Sequence, residues 1–383
     1  MTAPARIRAA FYRGGTSKAV VFNAADLPAD RVLRDRIFLH VLGSPDGYGR
    51  QLNGMGGGLS SLSKVVIVEP SRRPDADVDY TFVQISVKEP VADYGSTCGN
   101  MSSAVGPFAV SEGMVAPVSP ETTVRIHNTN TGQIYRARFP VQDGVPLEEG
   151  DFEIPGVTGG GAKVTLDFLE PGGAATGTLL PTGNPTDTIT TEAGESFEVS
   201  LVDAANATVF VRAADVGKTG HEDPSALDAD TDLMARMEAI RRVGAVAMGM
   251  VSNPAETALS TPKVAMVAPP SPYAALDGRT YNENDFDIST RLISMGNFHK
   301  ALTISGANCV GVAAQIPGTL LNAIAPGDGI LRIGNPSGVL PVSADVDAGS
   351  TPVFARASTT YRTYRRLMEG AVLVPSILME QQT

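Results

Sequence analysis

The run GSTCGNMSSAVG, residues 95–106, sets Cys98 directly before Gly99 and Asn100 and a stretch with helical character. A helix N-terminus exposes unpaired backbone N–H groups and the positive end of the helix dipole. A cysteine in its first turn is therefore disposed to ionise near neutral pH and can move protons. The same stretch also suits a small buried hydrophobe, the usual part of a free cysteine. A second candidate is Lys64, which ends the Gly/Ser-rich run GMGGGLSSLSK and opens the apolar segment KVVIVEP. On residue type alone, a lysine at the start of a strand is a solvated charge. Proton transfer is the chemistry these two groups could share.

Composition narrows what else is available. The chain has two cysteines and four histidines in 383 residues, too few and too scattered for a disulfide framework or a metal site. A net charge of −11 disfavours nucleic acid, which needs a basic surface. A local cluster of donors can still hold a small anion. No apolar run is long enough to span a membrane, and the N-terminal MTAPARIRAAF lacks the core of a signal peptide, so a cytoplasmic enzyme is expected. GMGGG leads into a strand and has no acidic residue placed for a ribose, and the glycine spacing of RGGTSK is not that of a phosphate loop, so no nucleotide cofactor is indicated.

Elements able to position such groups are legible. Strand character marks IRAAFY, AVVFN, KVVIVEP, YTFVQISV, TVRIHN, FEVSLVD, TVFVRA and KVAMVAP. Helical character marks residues 30–43 and 233–250 and the segments after Cys98 and after Ser305. Strands dominate an α+β chain. RAAFYRGGTSKAVVFNAADLP and SLVDAANATVFVRAADVG share a pattern of strand, small-residue turn, V-F strand and acidic turn. GSTCGNMSSAVGPFAV and LTISGANCVGVAAQIPG are likewise alike. Two equivalent halves are expected, residues 1–190 and 191–383, with the C-terminal strand free to return to the first.

YRGGTSK, GMGGGLSSLSK, STCGN, TPKVAMVAPP and SMGNFHKALTISGA together resemble the PrpF family, which includes 2-methylaconitate cis/trans isomerase, 4-oxalomesaconate tautomerase and related allylic isomerases. The resemblance runs from about residue 6 to about residue 375. It implies the diaminopimelate epimerase fold: two pseudo-symmetric lobes, each a curved sheet around a central helix, with the active site between them. It also implies a cofactor-independent isomerase that shifts or reorients a C=C bond in a small unsaturated di- or tricarboxylate. The match of SMGNFHKA and TPKVAMVAPP leans toward the methylaconitate type, and with it propionate metabolism. A tautomerase or another allylic isomerase is the alternative, an amino-acid racemase or epimerase the more distant one. The partner implied is a small anionic carboxylate, with neither nucleic acid nor membrane, and a homodimer is admitted as the assembly.

Carried onto this sequence, the family's proposed acid/base lysine falls on Lys64. Among Gly and Ser, and desolvated, a lysine drops from about 10.4 toward a pKa at which its neutral form can act as base. The first of the paired epimerase cysteines matches Cys98, which is expected as either a second acid/base or a neutral hydrogen-bonding wall. The second falls on Thr303, whose hydroxyl is too weak an acid or base for that role, which disfavours racemase chemistry. Cys309, further along the same helix, is expected in the core. Helix N-terminal amides at Gly99 and Asn100, and at Ser305 and Gly306, would hold carboxylates, and the glycine run would let backbone N–H groups approach them. Ser17, Asn53, Ser60, Ser61 and Thr303 fill the remaining substrate positions, with Lys263, His299 and Lys300 as cationic contributors. Turn chemistry and helix capping are the competing roles for this second set. Pro107 is expected to bend or shorten the helix after Cys98.

Overall fold

The computed structural model describes residues 3–95, 97–327 and 329–379, so Ser96 of the STCGN motif lies outside the described residues. The architecture is α+β and dominated by sheet. The chain forms two compact units, Met1–Leu166 with Tyr361–Thr383, and Asp167–Thr360. This division falls at 166/167 and not at 190/191, because the strand Asp187–Thr190 pairs with Ser196–Ala204 and so belongs with the residues that follow it.

In the first unit, β1 (Ala5–Gly14) turns through Gly15, at φ +51°, into the antiparallel β2 (Ser17–Asn23). Helix α1 (Arg31–Leu42) leads across to β3 (Lys64–Pro70), parallel to β2 with Lys64 opposite Ala19. β4 (Val78–Ile85) returns antiparallel to β3 and sets Gln84 opposite Lys64. α1 begins where the Asp30 carboxylate accepts the Leu33 N–H at 2.7 Å and ends at Gly43, φ +73°. These are the acceptor and the left-handed residue that helix ends require. Its stripe of Leu33, Ile37, Phe38, Val41 and Leu42 recurs at helical spacing and packs with Val20, Phe22, Val65 and Ile67.

Cys98 leads into α2 (Ser102–Ser111), followed by the hairpin β5 (Glu121–Asn128) and β6 (Ile134–Gln142), with β5 parallel to β4. α2 is buried over nearly its whole length, which its small residues permit. A Cβ on Gly106 would lie 2.7 Å from Phe139 Cε1 of β6, so only glycine lets the helix settle this close to the strand. The helix runs on through Pro107 to Ser111, so the proline does not shorten it.

The second unit opens on the antiparallel hairpin β7 (Ser196–Ala204) and β8 (Asn206–Arg212), followed by α3 (Thr231–Ala247). β9 (Lys263–Ala268) lies parallel to β8 with Lys263 opposite Thr208, and β10 (Ile288–Ser294) is antiparallel to β9. After α4 (Ile304–Ala314) come β11 (Ile330–Asn335), parallel to β10, and β12 (Gly338–Asp347), antiparallel to β11. The succession of pairings from β7 to β12 is the one that β1 to β6 follow. Gly311 of α4 meets β12 as Gly106 meets β6: a Cβ there would lie only 3.0 Å from both Val342 methyls.

β13 (Phe354–Arg362) pairs antiparallel with β12, and β14 (Tyr364–Val374) pairs antiparallel along the length of β1. Among the described residues no helix is long and apolar enough to cross a membrane.

Candidate active site

Lys64 is the first residue of β3 and is only 7% exposed. Its Nζ donates to Gln84 Oε1 at 2.6 Å and lies 5.0 Å from the centre of the Phe82 ring. The Gln84 amide cannot swing away, because its Nε2 donates to the carbonyls of Ser60, Ser63 and Ile85 at 3.0–3.3 Å. The acceptor that positions the lysine is thus itself held. Among the described residues no carboxylate pairs with Lys64.

Burial pushes the Lys64 amine below its ordinary pKa, and the charge of a Cys98 thiolate works in the opposite direction. Desolvation wins, so neutral amine is available at lower pH than for a solvated lysine. The Phe82 ring face favours the ammonium and tempers that shift.

Cys98 stands at the start of the helical hydrogen bonding: its carbonyl accepts the Ser102 N–H at 3.2 Å, the first bond of the α2 series. Tyr80 Oη donates to the same carbonyl, also at 3.2 Å, and burial holds Tyr80 as a phenol by raising its pKa. The thiol is 3.9 Å from Ser17 Oγ. Strand β1–β2, strand β4 and helix α2 therefore converge on one cysteine, with Ser17, Lys64, Gly99 and Asn100 in the same unit.

The other first-unit candidates are less engaged. Ser60 contributes its carbonyl to Gln84. Asn53 is exposed and Ser61 half-buried, and among the described residues neither bonds to Lys64 or Cys98. The glycine run serves its own loop. A Cβ on Gly56 would lie 2.3 Å from Gln51 Oε1, and one on Gly58, φ +72°, 2.3 Å from the Gly49 carbonyl. Gln51 is the hub of that loop, accepting from Ser63 Oγ at 2.6 Å and from the Gly58 N–H at 2.9 Å.

In the second unit, Lys263 opens β9 as Lys64 opens β3. It is 8% exposed, donates from Nζ to Ser294 Oγ at 2.8 Å, and burial lowers its pKa. His299 is pushed down by burial first and then by the Lys263 charge, so it is neutral over more of the pH range than a solvated histidine. Lys300 is exposed, and its carbonyl accepts from Ser337 Oγ at 2.6 Å.

Thr303 is the N-cap of α4: its hydroxyl accepts the Gly306 N–H at 3.1 Å, which commits both groups to the helix end, while Ser305 sits half-buried in the first turn. Thr303→Ala should therefore cost about 1 kcal/mol and lower the melting temperature by roughly 2–4 °C, with Thr303→Ser recovering most of it in a thermal melt. An unchanged melt in the alanine variant would contradict the capping role. Cys309 is fully buried, its thiol facing the Val202 carbonyl, and burial raises its pKa to about 12, as a core cysteine requires.

Three participants escaped sequence reasoning: Gln84, Tyr80 and Arg362. The first two carried a signal. Tyr80, Phe82 and Gln84 alternate along β4, so they share one face, and that face meets both Lys64 and the Cys98 carbonyl. Arg362 had no local signal, since its partner Asn100 lies far away in sequence: Arg362 Nε donates to Asn100 Oδ1 at 3.1 Å.

This geometry can take a proton with an amine, return one from an amine or thiol, and accept an anion at donors around α2. The family model described as "PrpF protein" matches residues 4–375. The chain is 42% identical to a 3-methylitaconate isomerase of Eubacterium barkeri, covering 96% of this chain and 97% of the relative. It is 40% identical to a 2-methyl-aconitate isomerase of Cupriavidus necator, covering 97% of each. The crystal structure of a methylitaconate-delta-isomerase superposes with a TM-score of 0.91 at 41% identity, covering 100% of this chain and 99% of the other.

Proposed function

This chain belongs to the PrpF family and is an isomerase, and from that premise we propose that it moves or reorients the C=C bond of a small unsaturated di- or tricarboxylate by proton transfer, without a cofactor. The methylaconitate type is the leading substrate reading, and the relative named for 3-methylitaconate marks the same chemical class. The observation that carries the mechanism is a buried Lys64 amine with no carboxylate partner among the described residues, held by an anchored Gln84 and shifted down by desolvation.

The neutral Lys64 amine takes the proton from the carbon next to the double bond. The C–H pair delocalises over the three-carbon allyl unit and its attached carboxylate, and Lys64 becomes an ammonium. A proton returned at the far end of the allyl unit, or at the same carbon after rotation, completes the isomerisation with no change of oxidation state. Cys98 is the second acid/base, with Ser17 fixing its thiol. Helix N-terminal donors at Gly99 and Asn100 face the charge that accumulates. The finer architecture of two pseudo-symmetric lobes, each built on a central helix, is part of the same reading. It is supported by the repeated order of strand pairings.

The test is proton exchange in D2O followed by NMR. Methylaconitate, methylitaconate and trans-aconitate should take up deuterium at the allylic position, while amino acids should not exchange at Cα. Exchange confined to amino acids would overturn the reading in favour of a racemase.

A further inference from the structure

We infer that Arg362 binds one carboxylate of the substrate beside Cys98, with Asn100 setting the angle of its guanidinium. The inference deepens the functional reading above and rests on it for the identity of the ligand, though not for the binding of an anion.

An arginine buried without a counter-charge is costly, because desolvating the cation is repaid only by a well-placed partner. Arg362 is 6% exposed, and among the described residues no carboxylate pairs with it. The other deeply buried arginines are accounted for. Arg241, 2% exposed, is bidentate to Glu238 at 2.7 and 2.8 Å. Arg291 donates to the carbonyls of Glu222 and Thr290 and to Ser289 Oγ, and it lies 5.2 Å from the centre of the Tyr273 ring. Among the described residues Arg362 makes two bonds only, Nε to Asn100 Oδ1 at 3.1 Å and Nη1 to the Tyr361 carbonyl at 2.7 Å. A guanidinium has five N–H donors, so the remaining edge keeps the forked geometry that a carboxylate fits.

The surroundings link Arg362 to Cys98. Asn100 Nδ2 donates to Thr16 Oγ1 at 3.1 Å, and the next residue, Ser17, has its hydroxyl 3.9 Å from the Cys98 thiol. Asn100 is itself two residues from Cys98. Arg362, Asn100, the Thr16–Ser17 turn and Cys98 thus form a closed circuit within one unit. Gly15 makes it possible: a Cβ there would lie 2.3 Å from Asn100 Oδ1 and 3.2 Å from Arg362 Cδ. Burial lowers the Arg362 pKa to about 10, with the Cys98 charge opposing, so the guanidinium remains a cation at neutral pH.

The experiment is a binding cycle that does not depend on turnover. Wild type and Arg362→Gln are titrated calorimetrically with trans-aconitate and with its three monoamides. Arg362→Gln should weaken trans-aconitate at least tenfold, the scale of one charge-assisted hydrogen bond to a carboxylate. At least one monoamide, the one lacking the carboxylate that Arg362 holds, should bind the two proteins within about threefold, and that difference is the coupling. Equal affinity for trans-aconitate in both proteins, or the same loss for all three monoamides, overturns the assignment. If Arg362→Gln does not fold, Arg362→Lys carries the same cycle, since a point charge cannot reproduce the fork. Coupling without isomerisation of any unsaturated acid would leave the carboxylate site standing and remove the isomerase chemistry. Isomerisation without coupling would do the reverse.

Discussion

Replacing Lys64 by methionine lowers turnover by at least about a thousandfold, within the range that general acid–base groups supply, and abolishes solvent deuterium uptake while trans-aconitate still binds. The reason is that methionine fills the volume between Gln84 and the Phe82 ring but offers no basic lone pair. The same substitution also removes the cost of the buried ammonium, a pH-dependent gain set against the loss of the donor to Gln84 Oε1. Burial lowers the Lys64 pKa in the folded protein, so between that value and the ordinary 10.5 the unfolded chain binds more protons and stability rises with pH. Below the folded value the full cost of the buried ammonium is present, and above the ordinary value it is gone. The gain from Lys64→Met is therefore largest at neutral pH and shrinks as pH climbs. A gain of about 1 kcal/mol would read as roughly 2–4 °C. Near-normal turnover in the variant, or a lower melting temperature that does not depend on pH, would contradict a desolvated base at this position.

How much of this was readable beforehand depends on the range of each contact. KVVIVEP is β3 residue for residue, because a continuous apolar run bounded by a serine and a proline leaves little freedom. The helix at 31–42 announced itself through Asp30 and Gly43, both local devices. The pairing of Lys64 with Gln84 needed only the alternation of β4 and its antiparallel register. The Arg362–Asn100 bond was beyond reach, because it depends on the chain closing over a span that no periodicity encodes. The glycine run was ambiguous for a different reason. Glycine tolerates any close approach, and here Gly56 and Gly58 approach Gln51 and Gly49 of their own loop, so composition alone could not say what the backbone comes near. For Thr303 one distance, 3.1 Å to the Gly306 N–H, shows the capping contact that its residue type also allowed.

Cys98→Ser is the second large effect expected: a loss of turnover of about a hundredfold or more, the lower end of what a general acid–base group contributes, with trans-aconitate affinity preserved. Serine keeps the Tyr80 and Ser102 bonds, because both go to the residue-98 carbonyl, so the backbone at the start of α2 is unaffected. What disappears is the thiol, the group proposed as the second acid/base. The two groups are electrostatically linked, and the link makes a further prediction with a definite sign. A Cys98 thiolate raises the Lys64 pKa against the larger effect of burial, so removing the thiolate lets the amine fall further. The acidic limb of the pH dependence of kcat/KM, which reports the free enzyme's essential base, should move to lower pH in Cys98→Ser even as the maximal rate drops. A full rate with an unmoved limb would reduce Cys98 to a wall of the site, and a limb displaced to higher pH would mean that the thiol does not act on Lys64 through charge.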